Sequence, residues 1–152
     1  QLLISSWAYD KASENSKVKI IDNRAFDVVC YHPGYTFVEK LQTVATKYRM
    51  EQETGIKKAN LMRQYYDLYC LLEVPEVLEF IGTEAYFEHK KARFPKKDLE
   101  IPISENEAFL LINPDQRSDF ETRYKATEAL YYKGQPQFGD LLERIAQKIE
   151  KL

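Results

Sequence analysis

Two cysteines, two histidines and five glycines are all that the 152 residues contain of three residue types on which many active sites depend. His32 and His89 lie far apart and neither Cys30 nor Cys70 belongs to a C-x-x-C step, which argues against a zinc site or a Cys–His dyad. The glycines form no phosphate-cradling loop. An R-x(4–6)-H ribonuclease step is missing too, since Arg24 stands eight residues before His32. An excess of either sign of charge is missing: the formal net charge is −2 and the pI about 5.8, so contact with nucleic acid or a membrane surface must come from a local patch. No apolar run reaches the ~20 residues that span a bilayer, and no signal-peptide pattern opens the chain. Each cysteine sits in an apolar run, which predicts buried free thiols in a reducing cytoplasm.

What is present is 44% hydrophobic and 30% charged, a composition for one folded domain with a sizeable core. Gln rather than Met in first position reads as a piece of something longer. Residues 1–31 read as strands: "VKIID" (18–22), "FDVVCY" (26–31) and, as a third, "LLISSWAY" at the start. They are too few for an independent sheet. From 32 to 152 the periodicity is helical. Thr36 and Glu39 form a T-x-x-E capping box ahead of a helix over about 37–52, stopping near Gly55, with Phe37, Leu41, Val44, Ala45 and Tyr48 on one face and Lys40 beside that stripe. A second helix spans about 59–72. A third follows Pro75 and runs to Pro95, with Gly82 inside it, and "AFLLI" is a short strand or a turn of helix. Two more helices close the chain, the first capped by Ser118 or Asp119.

The stretch "RQYYDLYCLL" (63–72) raises the sharpest question, because Asp67 is the one formal charge between Tyr65 and Leu72. An unpaired carboxylate is costly to bury. The plain reading is an i,i+4 pair with Arg63, worth about 0.2–0.5 kcal/mol if exposed. The functional reading is a carboxylate held in a cleft to orient a hydroxyl or take its proton. Lys40 has the same two readings, a snorkelling lysine or a phosphate ligand. "HKKARFPKK" (89–97) is the one concentrated basic run, and Lys90, Lys91, Arg93, Lys96 and Lys97 are its candidate contacts to an RNA backbone. The acidic pairs "EQE" (51–53), "DLE" (98–100) and "ENE" (105–107) lack the Gly-Ser turn expected before a two-metal carboxylate pair, so no metal ligand is assigned.

Four stretches together resemble the C-terminal part of the AbiEii/AbiGii toxin family, nucleotidyltransferases of the DNA-polymerase-β-like superfamily found in abortive-infection toxin–antitoxin systems. They are "FDVVCYHPGYTFVEKL", "RQYYDLYCLL", "FEHKKARF" and "YKATEALYYKGQPQFGDLLERI", of which T-F-x-E-K and R-x-x-Y-D are motif-grade. The resemblance implies active-site roles for Lys40 and Asp67, with Glu39 and Arg63 supporting them. It implies a mainly α (α+β) fold, in which 1–31 are remnant strands of the catalytic sheet and 32–152 the helical C-terminal domain. The parent would transfer NMP from an NTP with Mg²⁺, to RNA such as a tRNA 3′ end, opposite an antitoxin protein and in the cytoplasm. Tyr35 stands where family members commonly have Arg. The upstream Gly-Ser and D-x-D motifs are absent from these residues, so the fragment alone is expected to bind neither cofactor and to be inactive. The rival readings are a non-catalytic helical module for antitoxin binding and a nucleotidyltransferase acting on a small molecule.

Overall fold

The structure, a computed structural model, describes residues 7–15, 17, 19, 21, 29–131 and 134–152, apart from the side chains of Trp7 and Ala8. The chain divides into two compact units, Gln1–Cys30 and Tyr31–Leu152. In the first, α1 (Trp7–Ser13) is closed by an ion pair between Lys11 and Glu14 at 2.7 Å. The strand expected over "LLISSWAY" is therefore helix from Trp7 onward. The expected strands at 18–22 and 26–31 lie largely outside the described residues, and no strand occurs among those described.

The second unit is helical and built around α2 (Pro33–Thr54), which packs against α3 (Leu61–Leu71), α4 (Pro75–Phe80), α5 (Glu84–Arg93), α6 (Lys96–Leu99) and α7 (Glu107–Leu110). A helix enclosed on several sides needs more than one apolar stripe. Accordingly Phe37, Val38, Leu41, Val44, Ala45 and Tyr48 are all buried. The expected T-x-x-E box does not cap it. Pro33, whose fixed φ suits the first helical position, starts the helix a turn earlier, and His32 Nδ1 accepts the Gly34 N–H at 3.1 Å. The expected stop holds: Gly55 takes φ +67° and its N–H returns to the Glu51 carbonyl.

The expected third helix is two. Gly82 at φ +85° breaks it, and the Thr83 hydroxyl caps α5 by accepting the Tyr86 N–H. "AFLLI" is helical, as α7. The next helix, α8 (Pro114–Lys125), is capped by Asn113 instead of Ser118 or Asp119, because Pro114 again sets the first position. A last helix, α9 (Phe138–Ala146), carries a Gln137–Asp140 capping box. Tyr65, Phe120, Tyr124 and Phe138 join α3, α8 and α9 in an aromatic core with ring centroids 5.3–6.4 Å apart.

One contact ties α2 to α4 closely. A Cβ on Gly34 would lie 2.4 Å from Phe80 Cδ1 and 2.9 Å from Phe80 Cβ. Ala is the better helix former by about 1 kcal/mol, but the clash involves the root of the phenyl side chain and overpacking costs about 1–3 kcal/mol. Gly34→Ala is therefore expected to lower the urea midpoint, whereas an unchanged or higher midpoint would show that Phe80 can move aside.

Candidate active site

Lys40 and Asp67 meet where α2 and α3 run side by side. Lys40 Nζ lies 2.8 Å from Asp67 Oδ2, and the two side chains are 31% and 26% exposed. The aspartate in the apolar helix is thus paired across helices, at a surface that solvent reaches. A pair this exposed contributes about 0–1 kcal/mol to stability. Stability alone is a weak reason for it.

Arg63 does not partner Asp67. It is exposed and forms no ion pair among the described residues, so the expected i,i+4 pair is corrected: Lys40 approaches closely enough to take that carboxylate instead. Glu39 points away from Lys40, as neighbours 100° apart on a helix must. Its carboxylate faces α5, with Arg93 Nε at 3.4 Å and His89 Nε2 at 3.7 Å, and it accepts a hydrogen bond from the Tyr31 hydroxyl at 3.2 Å. Tyr35 packs edge-on to His89 at 4.7 Å and to Phe80 at 5.0 Å. Tyr31, Tyr35, Ala85, Glu88, His89 and Ala92 line an open depression of about 440 Å³ there. This cluster joins residues far apart in the chain, and sequence spacing carried no signal for it.

The basic run at 89–97 is not a uniform cationic face. Lys90 turns inward, its ammonium donating to the Leu152 carbonyl and lying 5.6–5.9 Å from the Phe94 and Tyr86 rings, and burial pushes its pKa down. Arg93 faces Glu39 and Lys97 faces Glu53 at 3.5 Å. Lys91 and Lys96 are exposed.

Two of the acidic pairs are tied into the fold. Glu51 is buried and takes two bonds from Arg123, at 2.7 and 2.9 Å. Asp98, also buried, takes Arg49 Nε at 2.6 Å and the Thr46 hydroxyl at 2.5 Å, while Glu53 takes the same arginine. Among the described residues no group of three or more His, Cys, Asp or Glu side chains is placed to hold a metal ion. Cys30 is exposed, against the expectation that both thiols are buried, and Cys70 is partly buried with its thiol pKa raised chiefly by desolvation.

Residues 7–144 match the family described as "Nucleotidyl transferase AbiEii toxin, Type IV TA system". The chain belongs to this family. No curated protein and no solved structure matches it. AbiEii membership makes this a toxin-type nucleotidyltransferase chain of a toxin–antitoxin family. Membership assigns no residue a role. No helix among the described residues is long and apolar enough to cross a membrane.

Proposed function

We propose that this chain contributes the phosphate-holding lysine and the acceptor-activating acid of a nucleotidyltransferase that moves NMP from an NTP to the 3′ end of an RNA, a tRNA being the preferred acceptor. The observation that supports it is the solvent-reached 2.8 Å contact between Lys40 and Asp67. The two groups have the charges that phosphoryl transfer requires at adjacent positions. The Lys40 ammonium offsets charge on the triphosphate as a point charge. Asp67, one hydrogen bond away, accepts the proton of the attacking ribose hydroxyl. The hydroxyl oxygen then bonds to the α-phosphorus, the bond to the pyrophosphate oxygen breaks, and pyrophosphate leaves with the charge Lys40 shares. Mg²⁺ would supply further neutralisation of the triphosphate's charge, and among the described residues no group of three or more His, Cys, Asp or Glu side chains is placed to hold it. The parent then acts as the toxin of an abortive-infection pair, in the cytoplasm and opposed by its antitoxin.

In the resting protein the pair neutralises itself, so an incoming triphosphate takes the lysine from Asp67 and leaves that carboxylate able to accept a proton. Binding of a labelled NTP to the parent protein tests the first half. A charged hydrogen bond is worth about 1.5–3 kcal/mol, so Lys40→Ala is expected to weaken binding at least tenfold. Its melting temperature should stay close to the wild type's. Equal NTP affinity in the variant would remove Lys40 from the phosphate site.

A further inference from the structure

The RNA-binding surface expected from the sequence, residues 89–97, is largely paired with the protein's own groups. A different cationic surface includes Arg63, one helical turn before Asp67. Between the start of α3 and the end of α8 is a concavity of about 340 Å³ whose lining includes Lys57, Lys58, Arg63 and Arg123. Its carboxylate partners are few. Asp119 meets Lys57 at 2.5 Å and Arg123 at 3.4 Å, and Glu51 meets Arg123 at 2.7 Å. Four cations against two carboxylates leave two positive charges over. Lys58 and Arg63 are the two with no ion pair among the described residues. Lys47 adds a fifth cation at the rim, donating to the carbonyl of Ala59, another lining residue, at 2.7 Å.

Position matters more than the count. Arg63 precedes Asp67 by four residues on α3, so the two sit about 6 Å apart along the axis and on neighbouring surface. A chain leaving the Lys40–Asp67 pair toward the start of α3 meets Arg63 first, at the concavity's edge. Successive phosphates of an extended single strand are spaced at about that distance or a little more.

We propose that the Lys57–Arg63 concavity binds the phosphodiester backbone of the acceptor RNA immediately behind its 3′ end, with Arg63 and Lys58 holding phosphates while the terminal hydroxyl reaches Asp67. This rests on the nucleotidyltransferase reading for what the RNA is doing there. It gives Arg63 a role that pairing with Asp67 does not. Arg63 is a positioning residue, acting on the acceptor strand and not on the reacting atoms.

The test is binding of a labelled single-stranded RNA to the 152-residue chain across a salt series. Each phosphate contact contributes about 0.7 to the slope of log affinity against log salt for a single strand. The double variant Arg63→Ala/Lys58→Ala is expected to flatten that slope by about 1.4, with the melting temperature kept. The control Lys91→Ala/Lys96→Ala, in the run the sequence singled out, should leave the slope unchanged. The proposal is overturned if the wild type binds no RNA, or if only the control variant flattens the slope. It is also overturned if Arg63→Ala/Lys58→Ala weakens inorganic triphosphate and not RNA, which would make the concavity a donor site. Neither variant touches Lys40 or Asp67. RNA binding lost here with transfer independent of Lys40 and Asp67 would therefore sink the proposed catalytic pair and leave this surface standing.

Discussion

Glu51→Ala is expected to destabilise the protein by about 3 kcal/mol, read as a fall in urea midpoint at constant m-value. The Glu51 side chain is 6% exposed and that of Arg123 16%. Removing the carboxylate leaves a guanidinium with little water around it and only the longer Asp119 contact, at 3.4 Å, to balance its charge. Its position over the Phe120 ring, 4.9 Å from the centroid, recovers a small part. Breaking such a pair costs about 3–5 kcal/mol, and these residual contacts set the expectation at the low end. The loss includes a backbone tie, because Glu51 Oε1 also accepts the Lys58 N–H at 2.5 Å and so fixes the loop that leads into α3. Replacing both partners by Met should cost far less than either single change, since the expense lies in the orphaned charge. A loss below about 1 kcal/mol for Glu51→Ala would mean that water or Asp119 takes over the arginine.

Asp67→Asn has the opposite signature. The change keeps shape and hydrogen-bonding capacity but removes the base. General-base catalysis contributes about 10²–10⁴-fold, so transfer by the parent protein should fall within that range. Stability should move by less than about 1 kcal/mol, because the pair it disrupts is about a quarter to a third exposed. Full transfer with a lower melting temperature would identify Asp67 as a structural partner of Lys40 and no more.

Legibility in the sequence followed the range of the interaction. The apolar spacing of Phe37, Leu41, Val44, Ala45 and Tyr48 marked α2, and the αL preference of Gly55 marked its end, since both act within a few residues. The start was misplaced because a proline and a histidine side chain at 32–33 competed with the Thr36 box, and nothing local says which cap wins. The third helix was read across Gly82 because "EVLEFIGTEAYF" keeps a helical apolar spacing through the break, whereas the backbone there takes positive φ. The family resemblance singled out Lys40 and Asp67, but no spacing showed that their side chains meet at 2.8 Å. Sequence spacing alone favoured Arg63, four residues away on the same helix, over a lysine 27 residues upstream. Glu51–Arg123 and Arg49–Asp98 were invisible for the same reason: separations of 72 and 49 residues carry no periodic signal. The basic run at 89–97 was legible as charge, but its internal partners Glu39, Glu53 and the Leu152 carbonyl were not.

The most direct measurement is nucleotide transfer by the charge-swapped parent protein, Lys40→Asp with Asp67→Lys. The swap keeps an ion pair between the same two helix positions. If the pair serves only to hold α2 against α3, folding and transfer both survive. If Lys40 holds phosphate and Asp67 takes the hydroxyl proton, each group now carries the wrong charge for its place, and a carboxylate repels the triphosphate. The account predicts a melting temperature near that of the wild type with transfer reduced to background. Transfer retained by the swapped protein would contradict it.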